Sequence, residues 1–140
     1  MQIREFHFPE DFPQVENLWA SMEKGVSLSR SDTSEEMQKK LAHDPDLFLV
    51  AEEDGQIIGT VIGGFDGRRG LLYHLAVCAS FRGQGIGSRL MEEIESRLRT
   101  KGCLRCYLLV TTDNPEAMEY YEKRDWERMN YVVPFAKNLV

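Results

Sequence analysis

Leu71-Leu-Tyr-His-Leu-Ala-Val-Cys-Ala-Ser-Phe-Arg-Gly-Gln-Gly-Ile-Gly-Ser-Arg-Leu90 is the stretch on which the reading of this chain turns. Leu71 to Val77 is a nearly continuous apolar run of strand length, suited to a buried strand. Glycines at 83, 85 and 87 then allow a sharp turn and leave main-chain N–H groups bare. From Ile86 the period changes: Ile86, Leu90, Ile94 and Leu98 recur every four residues, with Glu92, Glu93, Glu95, Arg97 and Arg99 on the other faces. Strand, glycine turn, helix is an arrangement that sets free N–H groups and a positive helix end around a phosphate. The stretch therefore reads as a cradle for a pyrophosphate.

Two familiar phosphate loops are excluded by the residues present. A P-loop needs Lys followed by Ser or Thr, and the stretch holds no Lys. A dinucleotide fingerprint needs a third Gly or Ala at position 88, which is Ser88. What remains is Arg82-x-x-Gly85-x-Gly87 after Leu75-Ala76-Val77. A second pattern lies downstream, Asn114-x-x-Ala117-x-x-Tyr120-Tyr121, followed by Asp125-Trp126. Together these resemble the two signature motifs of the GCN5-related N-acetyltransferases (the GNAT superfamily), and the short Phe65–Gly70 turn and Leu47–Glu52 strand are similar to the small YpeA-like branch. The family usually has Gly where this chain has Asp125, a residue that tolerates the left-handed conformation better than most.

The remaining segments fit that fold. Gln2 to Phe8 reads as a strand ended by Pro9, and Asp11 as the cap of a helix starting near Phe12-Pro13. Val15, Leu18, Trp19 and Met22 form its apolar stripe, with Trp19 either core or pocket wall. Gly25 to Asp32 is a polar loop, and Thr33-x-x-Glu36 a capping box opening a thin-striped helix to about Ala42. Leu47 to Glu52 and Ile57 to Phe65 flank the Asp54-Gly55 hairpin signal. Asp66, Arg68 and Arg69 sit in a second turn, as solvated charges or as recognition groups for an acidic or peptide acceptor. Gly102 stops the long helix, Tyr107 to Val110 is the next strand, and Asn114-Pro115 opens a last helix. Trp126 to Val133, with Phe135 to Leu139, is expected to close the sheet.

At 140 residues the chain is expected to form one domain, 1–140. Its 42% hydrophobic and 29% charged residues are those of an ordinary globular protein. No apolar run approaches the ~20 residues of a membrane span, and the N-terminus shows no signal-peptide core, so a cytoplasmic location is expected. The net charge of −6 argues against nonspecific nucleic-acid binding and favours a cationic partner such as an amine. Three cysteines, Cys78, Cys103 and Cys106, do not make a disulfide scaffold. The C-x-x-C leads into a strand and has no second ligand pair, so no metal site is expected. A homodimer through exposed late strands is compatible with the pattern.

The resemblance implies an α/β fold of order β-α-α-β-β-β-α-β-α-β, its mixed sheet splayed between the fourth and fifth strands to admit the pantetheine arm. It implies acetyl-CoA as acyl donor and an amine of a small molecule or peptide as acceptor. Arg82, Gly83, Gln84, Gly85, Ile86, Gly87 and Ser88 would hold the pyrophosphate. Leu75, Ala76 and Val77 would offer main-chain groups to the pantetheine and to the developing oxyanion, and Asn114, Ala117 and Tyr121 would border the cofactor. Acetyl transfer needs a neutral amine and a proton for the departing thiolate. Tyr121, a phenol of ordinary pKa ~10, suits the second task, and the family often uses this position for it. The base is less legible. Some relatives carry Glu on the fourth or fifth strand where this chain has Leu71 and Leu109. His74, of ordinary pKa ~6.5, is the best titratable candidate; its alternative is a packed, hydrogen-bonded histidine with deprotonation through water. Glu23 and Glu52 carry no positive sign. The rival functions are a noncatalytic acyl-CoA-binding module and a nucleotide-binding fold of another class.

Overall fold

The computed structural model describes residues 1–140. The elements are β1 (Gln2–Glu5), α1 (Phe12–Ser21), α2 (Ser34–His43), β2 (Phe48–Glu53), β3 (Gln56–Phe65), β4 (Gly70–Val77), a 3-10 turn (Ala79–Phe81), α3 (Ile86–Thr100), β5 (Cys106–Leu108) and α4 (Pro115–Glu122). The chain divides into two compact units, Met1–Leu109 and Val110–Val140.

The first unit holds one sheet in the order β1-β2-β3-β4-β5, antiparallel except for the parallel β4–β5 pair. Strand β3 is buried along most of its length because helices cover both its faces. On one face Val15, Leu18 and Trp19 of α1 join Phe6, Phe48, Val50, Ile62 and Ala76 in the main cluster, where Phe48 stacks between Phe6 and Trp19. On the other face α3 lays Ile86, Leu90, Met91, Ile94 and Leu98 inward, as its four-residue period dictates. It comes close because β3 has glycines beneath it. A Cβ at Gly59 would stand 3.0 Å from Leu90 Cδ1 and 3.2 Å from the Ala76 carbonyl oxygen, and one at Gly63 3.1 Å from Ile94 Cγ1. These two positions set the height of α3, and so of the glycine turn that precedes it.

Local signals worked where the chemistry was local. Asp54 and Gly55 both take positive φ in the β2–β3 hairpin. Thr33 accepts the Glu36 N–H at the start of α2, and Asn114 accepts the Ala117 N–H at the start of α4. Gly102 follows the C-cap Lys101 with φ 89°, where Gly102 N–H bonds Arg99 O and Cys103 N–H bonds Leu98 O.

Two expectations are corrected. Asp11 does not cap α1 through its side chain; its carboxylate takes both Arg4 guanidinium nitrogens, at 2.7 and 3.0 Å, and the His7 N–H at 2.7 Å. A charge-assisted bidentate partner outcompetes a neutral helix N–H. Burial alone would lift the Asp11 pKa, but these donors together hold it below its ordinary value. Glu52, which carried no positive sign as a base, also pairs with Arg4, at 2.6 Å. The closing strands across Trp126–Val133 and Phe135–Leu139 do not form, and residues 127–140 contain no strand. Pro134 interrupts that span and removes a ladder donor, while Val133, Phe135 and Leu139 stand exposed.

The packing of α3 yields a test. Gly59→Ala should lower unfolding stability by about 1–3 kcal/mol, because the Ala76 carbonyl cannot yield as a side-chain end can. Chemical denaturation measures it, and an unchanged midpoint would show that the helix does not rest on this glycine.

Candidate functional site

Strand β4 is where the sheet changes character. Gly70, Leu71 and Leu72 pair with Cys106, Tyr107 and Leu108, and there the pairing with β5 ends. From Tyr73 to Val77 the strand is paired only with β3. The splay expected between the fourth and fifth strands is thus present, and it begins at Tyr73.

At the same place β4 carries an extra residue. Thr60 faces Ala76 and Ile62 faces Tyr73, so His74 and Leu75 lie opposite the single residue Val61. His74 absorbs the bulge with φ 53°, a conformation that a side-chain-bearing residue adopts only under constraint. The constraint is a hydrogen-bonded chain: Trp19 Nε1–H donates to Thr60 Oγ1 at 2.9 Å, and Thr60 Oγ1–H donates to the His74 carbonyl at 2.9 Å. Thr60 is fully buried and Trp19 nearly so. A buried hydroxyl in that position satisfies both its neighbours and leaves the bulge one geometry.

The His74 ring turns to the face covered by α1, edge-on to Trp19 with centroids 4.7 Å apart. Its Nε2 lies 2.7 Å from Asp32 Oδ1. Asp32 ends the polar loop before α2, is 7% exposed, and its other oxygen accepts the Ser29 N–H at 2.9 Å. His74 is therefore both packed and paired with a carboxylate, the pairing that fixes a ring's tautomer and orientation. Asp32, Thr60 and Trp19 were not readable as one constellation, because they come from a loop, a strand and a helix. Tyr73 was missed too. Its ring lies 5.4 Å from that of His74, and burial, with the nearby Asp32 and Asp44 charges, pushes its phenol up to about 12.

Beyond β4, Gly83 and Gly85 have φ 77° and 80°, and a Cβ at either would meet no protein atom. The first turn of α3 carries no acidic side chain, and Gly85 has no side chain to cap it. Gln84 is exposed, Ile86 is buried and anchors the helix start, and Gly87 and Ser88 follow half-buried in the first turn. Arg82 is exposed, with Nε donating to the Val77 carbonyl at 3.2 Å and Nη2 3.7 Å from Met22 Sδ. Ala76 is buried, while Leu75 and Val77 are half-buried. An open glycine turn, a helix start free of carboxylates and an exposed guanidinium fit a diphosphate, and the unpaired margin of β4 fits a narrow polar arm such as pantetheine.

The second unit has its own internal order. Asn114 caps α4 and Pro115 occupies the first helical position. Ala117 and Tyr121 are one turn apart on that helix. Tyr121 packs edge-on to Tyr120 and Trp126, at 5.3 and 6.0 Å between centroids. Burial, with a smaller contribution from Tyr120, pushes its phenol up to about 12. Asp125 does take the left-handed conformation expected of it, φ 67°, and Trp126 N–H closes back on the Tyr121 carbonyl.

Comparison with known proteins agrees with this geometry. The profile of the Acetyltransferase (GNAT) family matches residues 12–126. An acetyltransferase of Pectobacterium atrosepticum is 40% identical over 140 residues, covering all of this chain and 96% of that one. One of Sodalis glossinidius is 38% identical with the same coverage. Among solved structures, a protein of Thermoplasma volcanium superimposes with a TM-score of 0.77 at 28% identity, over 89% of this chain and 80% of that one. An N-acetylglutamate synthase of Neisseria gonorrhoeae, solved with coenzyme A and N-acetyl-glutamate, shares the fold with a TM-score of 0.71 at 24% identity, over 88% of this chain and 27% of that one. With its splayed fourth strand, glycine turn and both signature motifs, the chain belongs to the GNAT family and is an acyl-CoA-dependent N-acetyltransferase.

Proposed function

We propose that this chain, acting over residues 1–140 as one domain, moves an acetyl group from acetyl-CoA directly to a primary amine, with both substrates bound at once. The observation that carries the reading is the departure of β4 from β5 after Leu72, immediately before the strand runs into the glycine turn and α3. When bound, acetyl-CoA supplies the acetyl group as a thioester. Arg82 and the main chain from Gly83 to Ser88 hold the diphosphate, and Leu75, Ala76 and Val77 hold the pantetheine and present an N–H to the carbonyl oxygen. The amine nitrogen forms the new C–N bond as the C–S bond breaks. Asn114 and Ala117 shape the start of α4.

His74 takes the proton released by the amine. Its support is the 2.7 Å contact with Asp32, which holds the ring in one orientation. Tyr121 returns a proton to the thiolate. Its support is the signature motif together with a pKa raised to about 12, which keeps the phenol protonated at every pH at which the enzyme would work. No covalent acyl-enzyme is needed, and Cys78 lies just past the end of β4.

Calorimetry with coenzyme A and a thiol-release assay over a panel of amines test the whole reading. Heat of binding and amine-dependent thiol release are expected; neither would appear if the glycine turn does not hold a diphosphate. Tyr121→Phe should slow turnover at least ~10-fold with acetyl-CoA affinity nearly unchanged. Because ionisation of Tyr121 comes only near 12, the loss should be constant from neutral pH up to about 11. Equal turnover at saturation would remove Tyr121 from the mechanism. Asp32→Asn, which keeps size but removes the charge, should lower kcat by about 10-fold or more and leave coenzyme A binding intact. A mutant with native kcat would return His74 to a purely structural role.

A further inference from the structure

One side of the site is built for something other than coenzyme A. A cleft of about 500 Å³ opens between α2, the β3–β4 turn and the start of β5, lined in part by Lys40, Asp44, Arg69, Leu71, Tyr73 and Tyr107. Leu71 and Tyr107 are register partners on adjacent strands, so they share this face. Tyr73 is next on the same face of β4, and its ring adjoins that of His74. The cleft therefore ends at Tyr73, one ring short of the Asp32–His74 pair.

Arg69 lines its far end, and Arg105 stands next to it just outside the cleft. Gly70 pairs with Cys106, which places Arg69 and Arg105 side by side one residue earlier. Their guanidinium carbons lie 5.8 and 5.5 Å from the centre of the Tyr107 ring. Like charges on neighbouring strands repel, and a stabilised fold would normally supply a carboxylate between them. None does so. Asp66, the nearest in sequence, also lines the cleft; one of its oxygens accepts the main-chain N–H groups of Arg68 and Arg69, both at 2.8 Å, and it makes no ion pair with either guanidinium. Lys40 and Asp44 neutralise each other at 2.8 Å. In a chain of net charge −6, two adjacent guanidiniums without an acid partner mark a place where an anion arrives from outside.

We propose that the acceptor is a peptide, its amine at His74 and an acidic side chain farther along it held by Arg69 and Arg105; this rests on the acetyl-transfer reading above. Five residue steps separate Arg69 from His74, about 16 Å of strand. An extended peptide covers that span in four to five residues at ~3.5 Å each. A compact metabolite with its anion a few bonds from its amine does not reach both ends, and a polyamine is repelled by the arginines. The carboxylate is expected at the fourth or fifth residue of the peptide.

Hexapeptide amides with Glu, Gln or Lys at the fourth and fifth positions, a free N-terminus and otherwise small residues are the probes. The wild-type protein should acetylate the Glu peptide with kcat/KM at least ~10-fold above the Gln peptide, the difference lying in KM. It should shrink as salt rises. The double variant Arg69→Ala, Arg105→Ala should level Glu and Gln peptides without changing the KM for acetyl-CoA. Arg69→Glu with Arg105→Glu should invert the preference towards the Lys peptide, an outcome that an unfolded protein does not give. Equal kcat/KM for Glu and Gln peptides in the wild type overturns the inference, as does a Glu preference that survives charge reversal. Coenzyme A calorimetry on the same preparations separates the two layers. Normal binding with no peptide acetylated sinks the peptide acceptor alone, whereas no binding sinks the acetyl-transfer reading beneath it.

Discussion

Every functional feature of the first unit follows from β4 being paired fully on one side and only briefly on the other. The β5 strand offers three partners, and after Leu72 the backbone of β4 has a neighbour in β3 alone. A strand margin in the interior of a protein is costly unless something takes up its polar groups. The extra residue at His74–Leu75 bends the strand at that point and increases its twist. The fold tolerates a left-handed histidine there because the Trp19–Thr60 chain grips its carbonyl from a fully buried position. Breaking that grip by removing the Thr60 hydroxyl would strand the Trp19 N–H as well as the carbonyl, a cost of about 1–3 kcal/mol for each buried group left unpaired.

The two faces of the sheet then take separate duties. The α3 face is dry and tightly spaced, with Leu90 and Ile94 seated over Gly59 and Gly63, so the helix start and its glycine turn are placed by packing. The α1–α2 face is polar along β4, where His74, Tyr73 and the Lys40–Asp44 pair adjoin. Packing places the glycine turn; charge and hydrogen bonding order the face opposite it. The division follows from the alternation of a strand, since Leu72 points to α3 while Leu71 and Tyr73 point to α2.

What was legible in the sequence was what is encoded within a few residues. The period of α3, the glycine turn, the Asn114 and Thr33 caps, the Gly102 stop and the left-handed Asp125 all came through, because each depends on neighbours along the chain. Asp11 was misassigned because Arg4, seven residues away across a turn, offered a stronger partner than the helix N–H groups. His74 was seen as titratable, but its partner was not, since Asp32 lies in a loop with no periodic signal and 42 residues distant. The closing strands were over-read from apolar content alone: Val132, Val133 and Phe135 have the right composition, but a strand exists only with a partner edge.

The partner of His74 is held on a loop, and that has a consequence for the ring. Between Gly25 and Thr33 the chain has no helix or strand, and only Val26 and Asp32 are buried there. Burying a valine contributes about 1.5 kcal/mol, and a charge-assisted hydrogen bond such as Asp32–His74 a further ~1.5–3 kcal/mol. The His74 contact is a large share of what keeps the loop down, with the Ser29 N–H donating to the other Asp32 oxygen. Whatever lifts Asp32 releases the ring, and whatever fills the cleft beside Tyr73 and excludes water strengthens the contact. The position of the loop and the orientation of the His74 ring are thus coupled through one hydrogen bond.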